Sequence, residues 1–82
     1  MDDKIIVMFK RGVEEAVDIE IPREITSIEL INALNTAYNL GIRMDDPEDM
    51  YLRSDNPIAL IRGEATMEEL GIRNGSTIYF DR

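Results

Sequence analysis

One well-marked amphipathic helix interrupts a chain that otherwise consists of short strand-like segments. Residues 26–29 read Thr-Ser-Ile-Glu, a capping box in which the Thr26 hydroxyl can accept from the Glu29 amide while the Glu29 carboxylate reaches back. Gly41 predicts the end of this helix. Its apolar face is predicted from helical spacing to contain Leu30, Ile31, Leu34, Ala37 and Tyr38. Because one helix can cover only one face of a sheet, the other face is expected to stay open to water or a partner.

Five segments have the composition of strands. Residues 4–10 form a short apolar run closed by lysines, and residues 17–21 alternate apolar and acidic side chains before Pro22, so the two predict a hairpin. Three further strands are predicted, namely Met50 to Arg53, Ile58 to Ile61 and Thr77 to Phe80. Residues 45–49 and 55–57 are predicted to be loop and turn. Residues 66–69 repeat the capping-box pattern, but Gly71 limits that helix to about one turn.

The predicted core gathers the apolar residues that alternation and helical spacing turn toward the helix side of the sheet: Val17, Ile19, Ile21, Leu30, Leu34, Leu52, Ile61, Ile78 and Phe80. The first strand is ambiguous because both of its faces are apolar. Either Ile5, Val7 and Phe9 or Ile6 and Met8 could point inward, and the larger set is favoured. The expected fold class is α+β, a five-stranded mixed sheet with one main helix across one face and a short helical turn before the last strand, formed by residues 1–82 as a single domain.

Composition excludes several classes of function. Seventeen acidic against nine scattered basic residues give a net charge of −8, which disfavours nucleic acid as a partner. The chain has no histidine and no cysteine, so no catalytic residues, no metal site and no cofactor are expected, and the protein is not expected to be an enzyme. Acidic residues 45–49 lack the ligand frame of a calcium loop and are predicted to be a solvated loop. The longest uncharged run, residues 30–42, contains three asparagines and the amino terminus lacks a secretion-signal pattern, so a soluble protein without direct membrane insertion is expected.

Local motifs resemble those of the ubiquitin superfamily. Ile21-Pro22 followed by Thr26 is similar to the passage from the second strand to the helix in ubiquitin. Residues 66–72 resemble the short helical turn before the last strand of ubiquitin-like proteins, and residues 76–80 resemble the start of that strand. The resemblance covers nearly the whole chain and implies the β-grasp fold.

Within that superfamily the chain is most similar to the YukD-like (EsaB-like) accessory proteins of type VII secretion in bacteria. The resembling features are its short length, residues 18–21 before the helix, Leu52-Arg53, and residues 70–75 before the last strand. The resemblance implies a cytoplasmic, non-catalytic adaptor whose partners are other proteins, among them components of the secretion apparatus. It supplies no catalytic residues.

Two alternatives remain. One is a generic β-grasp interaction or scaffold domain. The other is a ubiquitin-like modifier or sulfur carrier, which would end in Gly-Gly because the activating enzyme admits only residues without a Cβ. This chain ends in Asp81-Arg82, which argues against that alternative.

A partner-binding surface is predicted on the open face of the sheet. If Ile5, Val7 and Phe9 face the helix, alternation turns Ile6 and Met8 to the other side, and the last strand adds Tyr79 beside them. The third strand adds Tyr51 and Arg53. Tyrosine and arginine are enriched at binding hot spots. The competing surface is the uncharged flank of the helix, Asn32, Asn35, Thr36 and Asn39. A homo-oligomer is a further open alternative.

Overall fold

The computed structural model describes residues 3–81. The expectations about the chain ends involve Met1, Asp2 and Arg82, which lie outside these residues. The elements follow one another as β1 (Lys4–Arg11), β2 (Val17–Pro22), α1 (Ser27–Tyr38), β3 (Leu52–Asp55), β4 (Ala59–Ile61) and β5 (Thr77–Phe80). The sheet order is β2-β1-β5-β3-β4, with β1 and β5 parallel and the other neighbours antiparallel. This mixed five-stranded sheet with one helix is the β-grasp architecture that the sequence predicts.

Strand β1 resolves the ambiguity about its faces. Ile5, Val7 and Phe9 are buried against the helix side, whereas Ile6 and Met8 point to the open face, as expected for the larger apolar set. The Phe9 side chain packs against α1, with its ring centroid 5.1 Å from that of Tyr38. The alternation of side chains in β1 therefore fixes which face of the whole sheet the helix covers.

The buried core contains most of the predicted residues together with several from the connecting segments: Ile5, Val7, Phe9, Ile21, Leu30, Ile31, Leu34, Ile42, Leu52, Ile61, Met67, Ile72 and Ile78. Ile19 and Phe80 are half-buried and pack against it. The prediction of Val17 as a core residue is wrong, since 39% of its surface is exposed. Val17 lies at the start of β2, an edge strand that has one strand neighbour, β1, among residues 3–81. Ala37, predicted on the buried helix face, is also exposed.

The start of α1 agrees with the prediction, but its end does not. The Glu29 amide donates to the Thr26 hydroxyl at 3.2 Å, and the Thr26 amide donates to the Glu29 carboxylate at 3.0 Å. The helix ends at Tyr38, three residues before Gly41, because Asn39 adopts the left-handed conformation (φ 54°) and its N–H donates to the Asn35 carbonyl. Asparagine tolerates this conformation better than other non-glycine residues do, so it can replace glycine at a helix end.

Strands β3 and β4 are shifted from their predicted bounds. The Tyr51 amide donates to the Asp49 carbonyl at 3.1 Å, which keeps residues 49–51 in a turn, so β3 begins at Leu52 and not at Met50. It continues to Asp55, which was predicted in a turn but pairs with Thr77 of β5. Ile58, predicted in β4, lies in the turn before it and is 88% exposed.

The second capping box forms as predicted and is joined to the first. The Thr66 amide donates to the Glu69 carboxylate at 2.9 Å, and the Glu69 amide donates back to the Thr66 hydroxyl at 3.0 Å. Thr66 also forms an isolated β-bridge with Thr26, and both the amide and the hydroxyl of Ser27 donate to the Ala65 carbonyl. These bonds hold the turn before β5 against the start of α1.

Candidate protein-interaction site

The open face of the sheet is organised in rows that cross the strands. One row contains Lys10, Tyr79, Arg53 and Leu60 on β1, β5, β3 and β4 in turn, because each residue is the register partner of the next. In each strand, the residue next in sequence to the row is buried on the helix side. Because side chains alternate along a strand, the row faces away from α1. The predicted residues Arg53 and Tyr79 are therefore direct cross-strand neighbours.

A second row crosses the face at Met8. Asp18 of β2 is the register partner of Met8 on one side and Thr77 of β5 on the other, and Ile6 lies two residues away with Glu20 opposite. Ile6 is 51% exposed and Met8 38%. The Lys4 ammonium lies 3.7 Å from the Glu20 carboxylate. These side chains border a shallow groove of about 360 Å³ that extends to Asn74 and Gly75. It is an apolar strip with an acidic margin.

Aromatic and basic side chains form the other part of the face. The Arg53 guanidinium lies 5.9 Å from the centre of the Tyr51 ring, a distance at which a cation is attracted to the ring face. Tyr51 and Tyr79 are half-buried, whereas Arg53 is exposed. Arg53 therefore lies between its cross-strand partner Tyr79 and the Tyr51 ring.

Two apolar residues at this end of the face were missed by the sequence analysis. Leu60 is 48% exposed and pairs with Arg53, and the exposed Ile58 lies in the turn just before β4. Both line a shallow concavity of about 450 Å³ with Arg53, Ser54 and Ala59. The signal was present for Leu60: once Ile61 is assigned to the core, alternation turns Leu60 to the open face.

Four of the predicted residues, Ile6, Met8, Arg53 and Tyr79, lie on the open face, and Tyr51 lies beside Arg53. In the register of the sheet, the five fall into two groups. Ile6 and Met8 form the first group, and Tyr51, Arg53 and Tyr79 form the second. Thr77 and Lys10 lie between them in the register. The face combines apolar contact area with two phenols and charges of both signs. These are groups suited to binding a protein surface.

Two asparagines of the competing helix surface have structural roles at the end of α1. The Asn35 side-chain amide donates to the Ile42 carbonyl at 3.0 Å, and its oxygen accepts from the Ile42 amide at 2.9 Å. Asn39 caps the helix. These two asparagines therefore hold the segment after α1 in place, and only Asn32 and Thr36 of the predicted flank are exposed helix residues.

The Glu29 carboxylate has a structural role at the start of α1. Hydrogen bonds from the Thr26 backbone amide and then from its hydroxyl stabilise the Glu29 carboxylate and lower its pKa below the ordinary value of 4.5.

Residues 3–81 contain no cluster of three or more carboxylates that could hold a metal ion. Across the same residues, no helix has the length and apolar character needed to cross a membrane.

Comparison with known proteins agrees with this description. Thirty chains among the solved structures are similar to this one. One is an Arabidopsis thaliana protein, solved by combining evolutionary couplings with sparse NMR data. It has a TM-score of 0.68 and 20% sequence identity, over 99% of this chain and 89% of that one, and so supports the fold alone. The curated proteins give no match. The family model described as "WXG100 protein secretion system (Wss), protein YukD" matches residues 5–80, and the chain therefore belongs to the YukD family.

Proposed function

We propose that this protein is a non-catalytic, cytoplasmic adaptor that binds a component of a WXG100 (type VII) secretion apparatus through the open face of its sheet. Membership of the YukD family supports the link to secretion. The observation that carries the choice of surface is the exposure of Ile6 and Met8 on a face that α1 leaves uncovered. Apolar side chains grouped on one face and bordered by charge often mark an interface.

The chemistry of the face supports protein binding over catalysis. Tyr79 and Arg53 are adjacent across β5 and β3, and Tyr51 lies against the Arg53 guanidinium. Such side chains offer large contact area and several donors at binding hot spots. The two concavities on this face are shallow. The one beside Leu60 is lined mainly by apolar residues, and Arg53 is the charged residue that lines it. Small-molecule and catalytic sites usually enclose most of the ligand surface.

The test is a secretion assay in a strain that lacks the chromosomal copy of this gene. The strain is complemented with the wild-type protein, with Met8→Glu and Tyr79→Glu combined, or with Asn32→Glu and Thr36→Glu combined. The first pair adds two charges to the open face. The second pair adds the same two charges to exposed positions of α1 and is the matched control. Secretion of the WXG100 substrate should be lost with the sheet pair and kept with the helix pair.

Protein level and thermal midpoint are measured for each variant, so that loss of fold is separated from loss of binding. Asn35→Arg is unsuitable as a helix probe because it would break both hydrogen bonds to Ile42. Normal secretion by a folded Met8→Glu, Tyr79→Glu protein would contradict docking on the sheet face. Secretion lost only with the helix pair would place the interface on α1.

A further inference from the structure

We propose that the outer edge of β2 accepts an extended, basic segment of a partner protein as an additional strand of the sheet. This inference rests on the proposed function only in that the protein acts by binding another protein. It uses a different part of the surface, the backbone edge of β2 with the charges of Asp18 and Glu20, and does not depend on Met8 or Tyr79.

The hydrogen bonds of β1 establish which backbone groups of β2 point outward. The Met8 amide donates to the Ser76 carbonyl at 2.9 Å, and the Ile6 carbonyl accepts from the Gly75 amide at 3.0 Å, so the peptide groups of these residues face β5 and the loop before it. The alternate residues of β1 therefore bond to β2, which they meet at Ile21, Ile19 and Val17.

Asp18 and Glu20, the residues between, direct their N–H and C=O groups away from β1. Among residues 3–81, no turn, loop or side-chain hydrogen bond engages these four backbone groups, and β2 has β1 as its only strand neighbour. Unpaired edge groups of this kind are the donors and acceptors that an added strand uses. The opposite edge, β4, is only three residues long and offers fewer of them.

The helix side of β2 is only partly covered. Val17 and Ile19 point to the same side as Ile21, yet Val17 is exposed and Ile19 is only half-buried. Both were predicted to be core residues because their alternation is that of a half-buried strand. An added strand would place its own alternate apolar side chains beside them and remove this surface from water.

The charge of the edge determines the occupant. Asp18 and Glu20 are exposed on the open face, where the alternate side chains of an added strand would lie next to them. A second copy of β2 would bring acidic residues beside acidic ones, and the net charge of −8 adds to the repulsion. A strand with lysine or arginine at alternate positions meets opposite charges instead. The Lys4–Glu20 contact is an exposed ion pair and is readily exchanged for a new one.

The proposal can be tested with the full chain and a synthetic peptide of alternating lysine and valine, about eight residues long. Amide hydrogen exchange is followed by NMR. Asp18 and Glu20 amides should exchange rapidly in the free protein and slow by at least about tenfold at saturating peptide, whereas the Ile19 amide, already bonded to β1, should change little. A peptide with glutamate in place of lysine should not bind. Equal affinity for the two peptides, or protection that is absent at Asp18 and Glu20, would overturn the proposal.

Two sets of variants separate the backbone contribution from charge. Glu20→Pro removes the outward N–H without removing a bond to β1, and Glu20→Gln loses the same charge but keeps the N–H. The Kd for the lysine peptide should be about tenfold weaker for the proline variant than for the glutamine variant. Asp18→Lys with Glu20→Lys should reverse the preference toward the glutamate peptide, and this second test remains valid if proline perturbs the fold.

Equal binding by the proline and glutamine variants, together with an unchanged preference in the lysine variant, would exclude the edge. These outcomes are independent of the secretion assay, in which the substitutions lie at Met8 and Tyr79. Failure of the edge proposal and failure of the sheet-face proposal are therefore distinguishable.

Discussion

The two sides of the sheet use the same strands in opposite ways. On the side covered by α1, apolar residues are buried, and polar groups such as Asn35 and the two capping threonines have specific structural partners. On the open side, most of the intervening residues of β1, β3 and β4 are exposed, and they include apolar, polar and charged side chains. Stability and binding are therefore expected to respond to different substitutions, although the residues involved are neighbours in the sequence.

The largest difference in stability between substitutions on the two sides is expected at two adjacent residues of β1. Phe9→Ala should lower the free energy of unfolding by about 3–5 kcal/mol, because it leaves a cavity in the core and removes the contact with Tyr38. Met8→Ala, on the open face, should lower it by less than about 1 kcal/mol. Urea denaturation measures both values. Similar losses for the two variants would show that the open face is as important for stability as the core.

A smaller difference in stability is expected between substitutions of two asparagines of α1. Asn35→Ala should lower the free energy of unfolding by about 2 kcal/mol, since it removes both side-chain bonds to the Ile42 backbone and leaves those groups without them. Asn32→Ala should change it by no more than about 0.5 kcal/mol, because Asn32 is exposed. Equal denaturation midpoints for the two variants would contradict the structural role of Asn35.

The helix cap is expected to contribute less to the free energy of unfolding than Asn35 does. Thr26→Ala should destabilise the protein by about 1 kcal/mol, because the Glu29 amide loses its hydroxyl acceptor. Thr26→Ser keeps a hydroxyl at this position and serves as the matched control. A denaturation midpoint and slope unchanged by Thr26→Ala would mean that the capping box does not hold the start of α1.

The smallest effect is a dependence of stability on pH. The pKa of Glu29 is lower in the folded protein than its ordinary value of 4.5, so its ionised form stabilises the fold above that pH. This contribution should be lost as the pH falls from about 4.5 through the lowered pKa. Glu29→Gln should show a shallower loss of stability over that range. An identical pH dependence in both proteins would mean that the carboxylate does not stabilise the helix start.

Local patterns in the sequence predicted the covered side more completely than the open one. The alternation in β1 and the capping box depend on residues close in the chain, so Phe9 and Thr26 were assigned correctly. Val17 was misassigned because its burial depends on what lies beside an edge strand, which alternation does not encode. The structural role of Asn35 depends on where the chain turns after the helix, and the sequence analysis took it for a surface residue.

The arrangement of the predicted binding residues also depends in part on residues that are distant in the chain. Their common face followed from alternation and from the pairing of β1 with β5. Their division into two groups, with Thr77 and Lys10 between them, depends on the register between β1 and β5, which no local pattern fixes. Alternation alone turns Leu60 to the open face, but its place beside Arg53 depends on the pairing of β3 with β4.

The most direct test of the sheet face as the docking surface is site-specific photo-cross-linking in the producing cells. A photoreactive amino acid replaces Met8 on the open face or, in a matched protein, Thr36 on the exposed side of α1. We expect the Met8 position to form a cross-link with a component of the WXG100 secretion apparatus, identified by mass spectrometry, and the Thr36 position to form none. A cross-link to that apparatus from Thr36 and not from Met8 would contradict the account.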